Sequence, residues 1–493
     1  MSQSFYIFLG FTSNPFENNT AEREPDIAAY AVRPPYLDRV LTTSRAKGIF
    51  VLSGSRGSGK SATRLTVAKA LWAETNGPLV VPLINFNIFK AQAKSSISLD
   101  LFATQIIFLT VENLLTWLSN LPTIEAEKKL ASLDKSALSL IRKIVGTFYL
   151  SRSDNARQTS ANECFSTLDV SLPQKSLFWL EKRWDAVANT VATFATKLGE
   201  KYFDADFGDP TTYAALLKQQ ANEGFPDPQY VFSKAVEVAR LFGFSGVAIQ
   251  IDKVDETDWT ATDVSAGAQL IYPLLANIQL HEIDGLTWSF FLWDKVKINF
   301  STENDRAVRW DKIPNGVISW STDYLTELIQ RRIVHFSNGK LGGLADISVT
   351  GLDISKTTAI LIDLSEDSPR NLISLLDVIL SEHIQNNQHV PRLLDVDAFN
   401  NGMDSYARRS LGDSGHTSVA EQIAKVQLTR FSTRDVAARF GKGQQAARSR
   451  IDSWVQTGLV AYDGSDVGPL GGRPVDFFAV GDPRVRRVIE RKL

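Results

Sequence analysis

Ile49-Phe-Val-Leu-Ser53, followed by Gly54-Ser55-Arg56-Gly57-Ser58-Gly59-Lys60-Ser61, is the stretch on which the fold turns. The first five residues carry no charge and read as a short buried strand. The next eight match GxxxxGK[ST], and Ala62 to Glu74 continues with Leu65, Ala68 and Leu71 on one helical face. Each position has a chemical reason. The glycines let the backbone wrap closely enough for its N–H groups to hold phosphate oxygens, with the start of the following helix behind them. Lys60 would neutralise the β- and γ-phosphates, and the Ser61 hydroxyl would ligate Mg²⁺. Residues Gly54 to Ala62 are therefore the candidate nucleotide cradle.

A second apolar strand, Gly246-Val-Ala-Ile-Gln-Ile251, ends on Asp252, a candidate partner for the same Mg²⁺. Lys253, Asp255 and Glu256 follow. Either carboxylate, Asp255 or Glu256, could be brought back to activate water, and the sequence leaves that choice open. A third strand pattern, Leu286 to Trp293, ends at Asp294.

With these parts in order, the chain resembles AAA+/STAND-type P-loop ATPases, closest in layout to the origin-recognition-like, KAP-like and transposition-regulator groups, of bacterial type. Three further segments carry the resemblance. Asn14-Pro15-Phe16-Glu17, Ala21 to Glu24 and Tyr36 to Val40 resemble the leader that packs over the adenine. Ser321 to Arg332 resembles the start of the helical lid. Ser368-Pro-Arg370-Asn-Leu-Ile resembles the sensor-2 motif of that lid. The resemblance implies that Arg370 reaches the γ-phosphate, that Asp294 stands at the sensor-1 place, and that Arg306 or Arg309 serves as an arginine finger. Such ATPases often carry a glutamate directly after the strand-ending aspartate; Lys253 occupies that slot here.

Between the strand at 78–86 and the Asp252 strand lie residues that a minimal core would not need. Leu130, Ala137, Leu140, Ile144 and Phe148 recur at helix spacing, and Leu180, Trp184, Val187, Val191, Phe194 and Leu198 form a heptad seam. The expectation is a helical insertion over about 90–240, closing on its own core or offering an arm to a partner. Residues 151–176, rich in Ser, Thr, Asn and Gln, read as a loop.

Small polar residues over 400–418 mark a boundary. Beyond it, Phe431 to Phe440 reads as a helix with Ser432 as N-cap, Gly441-Lys442-Gly443 as a turn, and Gln444 to Thr457 as a second helix. Two strand patterns, 458–462 and 475–480, flank Gly471-Gly-Arg473-Pro474. The pattern predicts a winged helix. Its second helix would enter a DNA major groove, making Lys442, Gln444, Gln445, Arg448, Arg450 and the wing residue Arg473 candidate contacts. Winged helices also serve as protein-contact modules, and that alternative stays open.

The fold expected is an α/β P-loop NTPase core, a parallel sheet flanked by helices, with a helical insertion, a helical lid and a C-terminal winged helix. The predicted borders are a leader at 1–48, the core at 49–320, the lid at 321–395 and the terminal domain at 400–493. Composition supports the assignment. The 493 residues carry a net charge of −2, which excludes a polybasic protein overall. Residues 426–493 nevertheless hold twelve Lys/Arg against seven Asp/Glu, a local net of +5, leaving −7 elsewhere. One cysteine and five scattered histidines offer no disulfide within the chain and no zinc spacing. The N-terminal apolar run is too short for a signal segment, and the stretch 97–118 is interrupted by Asp100, Gln105, Glu112 and Asn113. A cytoplasmic protein without a membrane partner is expected. The leading functional expectation is a switch that binds ATP and Mg²⁺, hydrolyses ATP to ADP and associates with double-stranded DNA. The competing one is a STAND-like scaffold that assembles with a protein partner or with itself. The resemblance places proteins of this layout among mobile-element and antiviral defence systems. A metabolic kinase would explain neither lid nor winged helix.

Overall fold

The computed structural model describes residues 2–24, 26–45, 47–92, 97–149, 152, 156, 159–160, 227–261, 263–302, 308–387, 389–413, 417–467 and 474–493. The heptad seam at 180–198, Arg306 and Arg473 lie outside the described residues. Two compact units emerge, residues 20–319 and residues 1–19 with 320–493.

The first unit is built on five strands: β1 (Gly48–Gly54), β2 (Leu79–Leu83), β3 (Val247–Ile251), β4 (Leu286–Trp293) and β5 (Asn315–Val317). They run parallel in the order β2-β3-β4-β1-β5. Strands covered on both faces should be apolar along their whole length rather than alternating, and every residue of β2 and β3 is buried. This is the expected α/β P-loop core. Ligand groups of parallel sheets gather at the carboxyl ends of the strands, and here those ends are Gly54, Asp252 and Asp294.

Helix Leu99–Asn120 packs against β2 and against helix Pro228–Leu241. By length and composition Leu99–Leu118 could cross a membrane, but 83% of that window is buried inside the unit. Three of the four polar residues that interrupt it, Gln105, Glu112 and Asn113, are buried, while Asp100 in its first turn is partly exposed. Thr123–Ala131 and Lys135–Ile144 continue the helical insertion.

The second unit opens with helix Ser2–Phe8 and continues with helices Thr322–Phe336, Ile354–Leu364, Pro369–Asn386 and Val396–Asp413. Their apolar faces join in one core that includes Phe5, Phe11 and Phe16. The predicted leader is thus divided, with residues 1–19 in this unit and the remainder in the other. The small polar stretch read as a boundary is also not a break, because residues 400–413 are helical. Phe399, Met403, Tyr406 and Ala407 form a buried stripe, while the polar residues that suggested a linker lie between them. Gly402 permits the packing, since a Cβ there would stand 2.5 Å from the Ile379 Cα.

After helix Thr417–Val426 come strand β6 (Arg430–Ser432), helices Thr433–Phe440 and Gln444–Gln456, and strands β7 (Val460–Asp466) and β8 (Val475–Val480). The three strands form an antiparallel sheet in the order β6-β8-β7. Ser432 caps the first of the two helices through the Asp435 carboxylate, which accepts from its N–H at 2.7 Å. The last helix is Pro483–Arg491.

Candidate functional site

β1 ends at Gly54 and the chain turns sharply into helix Lys60–Trp72. Gly57 and Gly59 have φ of 80° and 92°, a region that L side chains rarely adopt. A Cβ on Gly54 would lie 2.5 Å from Ser58 Oγ and 3.1 Å from Ile318 Cβ. A side chain at that position would force Ser58 or Ile318 to shift, so the close turn of the backbone there depends on glycine. Ser61 and Ala62 occupy the first helical turn, whose N–H groups lack intrahelical partners. Lys60 folds back, and its Nζ donates to Gly54 O at 3.0 Å and Ser55 O at 2.9 Å.

Burial holds the Lys60 ammonium below its usual pKa, against the opposing pull of Asp255, Asp252, Asp294 and Glu256. The loop's cation therefore lies within the field of all four carboxylates named from the sequence. They do different things. Asp252 is buried, and its Oδ2 accepts from Arg64 Nε at 3.1 Å while its Oδ1 accepts from Lys253 N at 2.9 Å. Asp255 is also buried and pairs with Arg56 Nε at 2.9 Å. The same guanidinium donates to Asp255 O at 3.1 Å and Ala261 O at 2.7 Å, and lies 4.2 Å from the centre of the Trp293 ring. Arg56 thereby ties together the ends of β1, β3 and β4. Glu256 is exposed; desolvation pushes its carboxyl above the usual range, against Lys253. Asp294 begins helix Asp294–Thr302, where its Oδ1 accepts from Lys295 N at 2.8 Å.

Lys253 has φ of 63°, an uncommon value for a side-chain-bearing residue. Its Nζ reaches Glu22 Oε1 at 2.8 Å and Glu256 Oε2 at 4.0 Å. Burial pushes Glu22 up, but the hydrogen bond and charge of Lys253 outweigh it and hold the carboxyl below its usual range. Arg309 is taken by Asp311 at 2.7 Å on the surface.

The other sequence-named residues lie in the second unit. Pro15 O and Asn18 O accept from the buried Arg332 at 2.7 and 3.2 Å, and Phe16 is buried in that unit's core. Arg370 is exposed in the first turn of helix Pro369–Asn386. Lys442, Gln444 and Gln445 are exposed around the turn before helix Gln444–Gln456. Arg448 pairs with Asp452 and Asp476, each at 3.2 Å, and Arg450 lies 4.2 Å from the centre of the Phe440 ring. Sequence reasoning missed Arg64, Glu22 and the role of Arg56. The signal for Arg64 was an arginine one turn after Lys60, set between the apolar-face residues of the same helix.

A nucleoside triphosphate with Mg²⁺ fits this donor set. The backbone cradle suits phosphates, while Ser61 and Asp252 offer one hydroxyl and one carboxylate. Mg²⁺ ordinarily takes only one or two protein carboxylates and completes its shell with phosphates and water. Among the described residues no three His, Cys, Asp or Glu converge as a metal cage.

Fold and loop geometry together define an α/β core of the P-loop kind. No family model matches the chain, and no curated protein matches it. A solved structure, the crystal structure of Cdc6p from Pyrobaculum aerophilum, is similar at a TM-score of 0.31 and 11% identity, over 94% of this chain and 96% of that one. The strand order and the loop geometry carry the functional reading instead.

Proposed function

We propose that the chain is an ATP-binding and ATP-hydrolysing switch of the AAA+ kind. The observation that carries this reading is the backbone cradle Gly54–Ser61 with Lys60 inside it and Asp252 beside it on β3. In the ATP-bound state, cradle N–H groups and Lys60 hold the β- and γ-phosphates, and Ser61 and Asp252 are the protein's contribution to the Mg²⁺ shell. Bound Mg²⁺ supplies charge neutralisation to the phosphates. Arg56 keeps Asp255 and the loop that follows β3 in register with the cradle. Loss of the γ-phosphate is a local electrostatic event that can release such a loop.

The same reading takes the C-terminal module as a winged helix that contacts duplex DNA. The exposed Arg434, Lys442, Gln444 and Gln445 at its two central helices support it. One observation favours the protein-contact alternative. Arg430 pairs with Asp463 and Asp466, Arg448 with Asp452 and Asp476, and Arg487 with Asp404, so much of the module's positive charge is matched within the chain.

ATP binding, turnover and sizing of wild type and Lys60→Ala, each with and without duplex DNA, test the reading. Wild type is expected to bind and hydrolyse ATP, and Lys60→Ala to lose turnover by at least about a hundredfold, as removal of a principal transition-state charge does. Absence of nucleotide binding by wild type would defeat the proposal. Turnover without any DNA effect, together with nucleotide-dependent assembly, would favour the scaffold alternative.

A further inference from the structure

The ion pair beneath the phosphate loop is almost wholly buried. Arg64 and Asp252 have side chains 2% and 3% exposed, and Arg64 Nε meets Asp252 Oδ2 at 3.1 Å. Arg64 lies four residues after Lys60 on helix Lys60–Trp72, hence on the same side of the helix, one turn further from the loop. Its Nη1 is buried and makes no hydrogen bond among the described residues. The nearby carboxylate of Glu22 is held by Lys253 at 2.8 Å, so the guanidinium's direct ion pair is with Asp252. The aspartate is held from its other side by the Lys253 N–H at 2.9 Å. Two of its roughly four acceptor positions are thus filled, and its orientation is set before any ligand arrives.

We propose that Arg64 is a positioning residue for Asp252 that supplies, permanently and from below, part of the positive charge a divalent cation would otherwise bring. This inference rests on the nucleotide-site reading above and deepens it. A carboxylate already neutralised by a buried guanidinium attracts a cation less strongly than a bare one, because the two cations act on the same oxygens at short range in a medium that screens poorly. Asp252 therefore orients the hydrated ion more than it anchors it. Nucleotide affinity should then depend weakly on Mg²⁺, with Lys60 and the backbone N–H groups carrying most of the binding. Chelating the metal should leave a nucleotide-bound protein rather than an empty one.

The test is calorimetric titration of the full chain with ADP and with ATP, in Mg²⁺ and in EDTA, for wild type, Arg64→Gln and Arg64→Lys. The readout is the ratio of the two dissociation constants, which a purely structural role for Arg64 would not move. Wild type is expected to lose less than about fivefold in affinity on chelation, below the usual range for coupled ligands. Arg64→Gln, with Asp252 no longer neutralised, should raise that ratio by about five- to tenfold, and Arg64→Lys should stay near wild type. A folded Arg64→Gln with an unchanged ratio overturns the proposal. Should Arg64→Gln fail to fold, wild type still decides: a loss above about a hundredfold on chelation, beyond most of that coupling range, would show that the arginine does not stand in for the ion. Failure of wild type to bind either nucleotide under both conditions would instead sink the nucleotide-site reading itself.

Discussion

The arginines of the phosphate-loop region and those of the C-terminal module make similar bonds in opposite surroundings. Arg64 and Asp252 are almost wholly withdrawn from water. Arg448 is 45% exposed and its partners Asp452 and Asp476 are 53% and 43% exposed. Distances near 3 Å therefore describe two different objects. In the first, desolvation has already been imposed on both charges, and each depends on the other. In the second, water competes for every bond, and a phosphate or a partner's carboxylate could take the place of Asp452 or Asp476 on Arg448 at little cost. The buried pair is part of the site's construction, while the exposed pairs are a surface that another molecule can rearrange.

Breaking the buried pair should have the largest effect. Arg64→Ala leaves Asp252 charged and without its guanidinium, for which a loss of about 3–5 kcal/mol is expected. Urea denaturation followed by tryptophan fluorescence measures it, with Trp288 buried on the neighbouring strand β4 as a core reporter. A loss below about 1 kcal/mol, the range of exposed pairs, would show that the two regions do not differ in the way their burial implies.

The comparison also explains what was legible in the sequence. The phosphate loop is a local pattern, and Asp252 ends a run that is apolar but for Gln250, so both could be read from neighbours a few residues away. The strand order β2-β3-β4-β1-β5 and the short edge strand β5 were not legible in those runs, because pairing between distant strands leaves no local pattern. The partners of Arg64 and Arg56 lie 188 and 199 residues away, and no periodicity encodes a contact across such a distance. Asp255 and Glu256 were equivalent in sequence; the structure separates them by burying the first against the Arg56 guanidinium and leaving the second exposed beside Lys253. Helix Val396–Asp413 was hidden for another reason. Its outward face is so rich in Asn, Asp, Ser and Arg that composition signalled a linker, while the inward stripe from Phe399 to Leu411 held the helical period. In the module beyond it the element pattern was readable, but the pairing of Arg448 with Asp476 across helix and strand was not.

A middle-sized effect sharpens the surface side of the comparison. Arg448→Ala should change stability by less than about 1 kcal/mol, since exposed pairs contribute little. If the module contacts duplex DNA through this residue, retention on DNA should weaken across all sequences, and the salt slope should fall by about one unit. The expected result is that fall with almost unchanged denaturation. An unchanged slope would mean that the acidic partners keep Arg448 for themselves, and would move the module toward protein contact.

The smallest effect lies between the two extremes, in the half-exposed pair of Lys253 and Glu22, at 26% and 36% exposure. The hydrogen bond and charge of Lys253 hold the Glu22 carboxyl below its ordinary 4.5. A carboxylate whose pKa is depressed by folding adds stability above its unfolded-state pKa and loses that contribution as the pH falls through the folded-state value. The stability difference between wild type and Glu22→Gln should thus be constant from neutral pH down to about 5, then shrink and vanish in the more acidic range where both states are protonated. Screening limits its size to less than about 1 kcal/mol at neutral pH, and added salt should reduce it further. Thermal melts of the two proteins across that range measure it. A difference that persisted unchanged at the acidic end would mean that Glu22 acts through its shape rather than its charge. Lys253 would then owe its left-handed backbone to the turn after β3 alone, and not to the bond that joins it to residue 22.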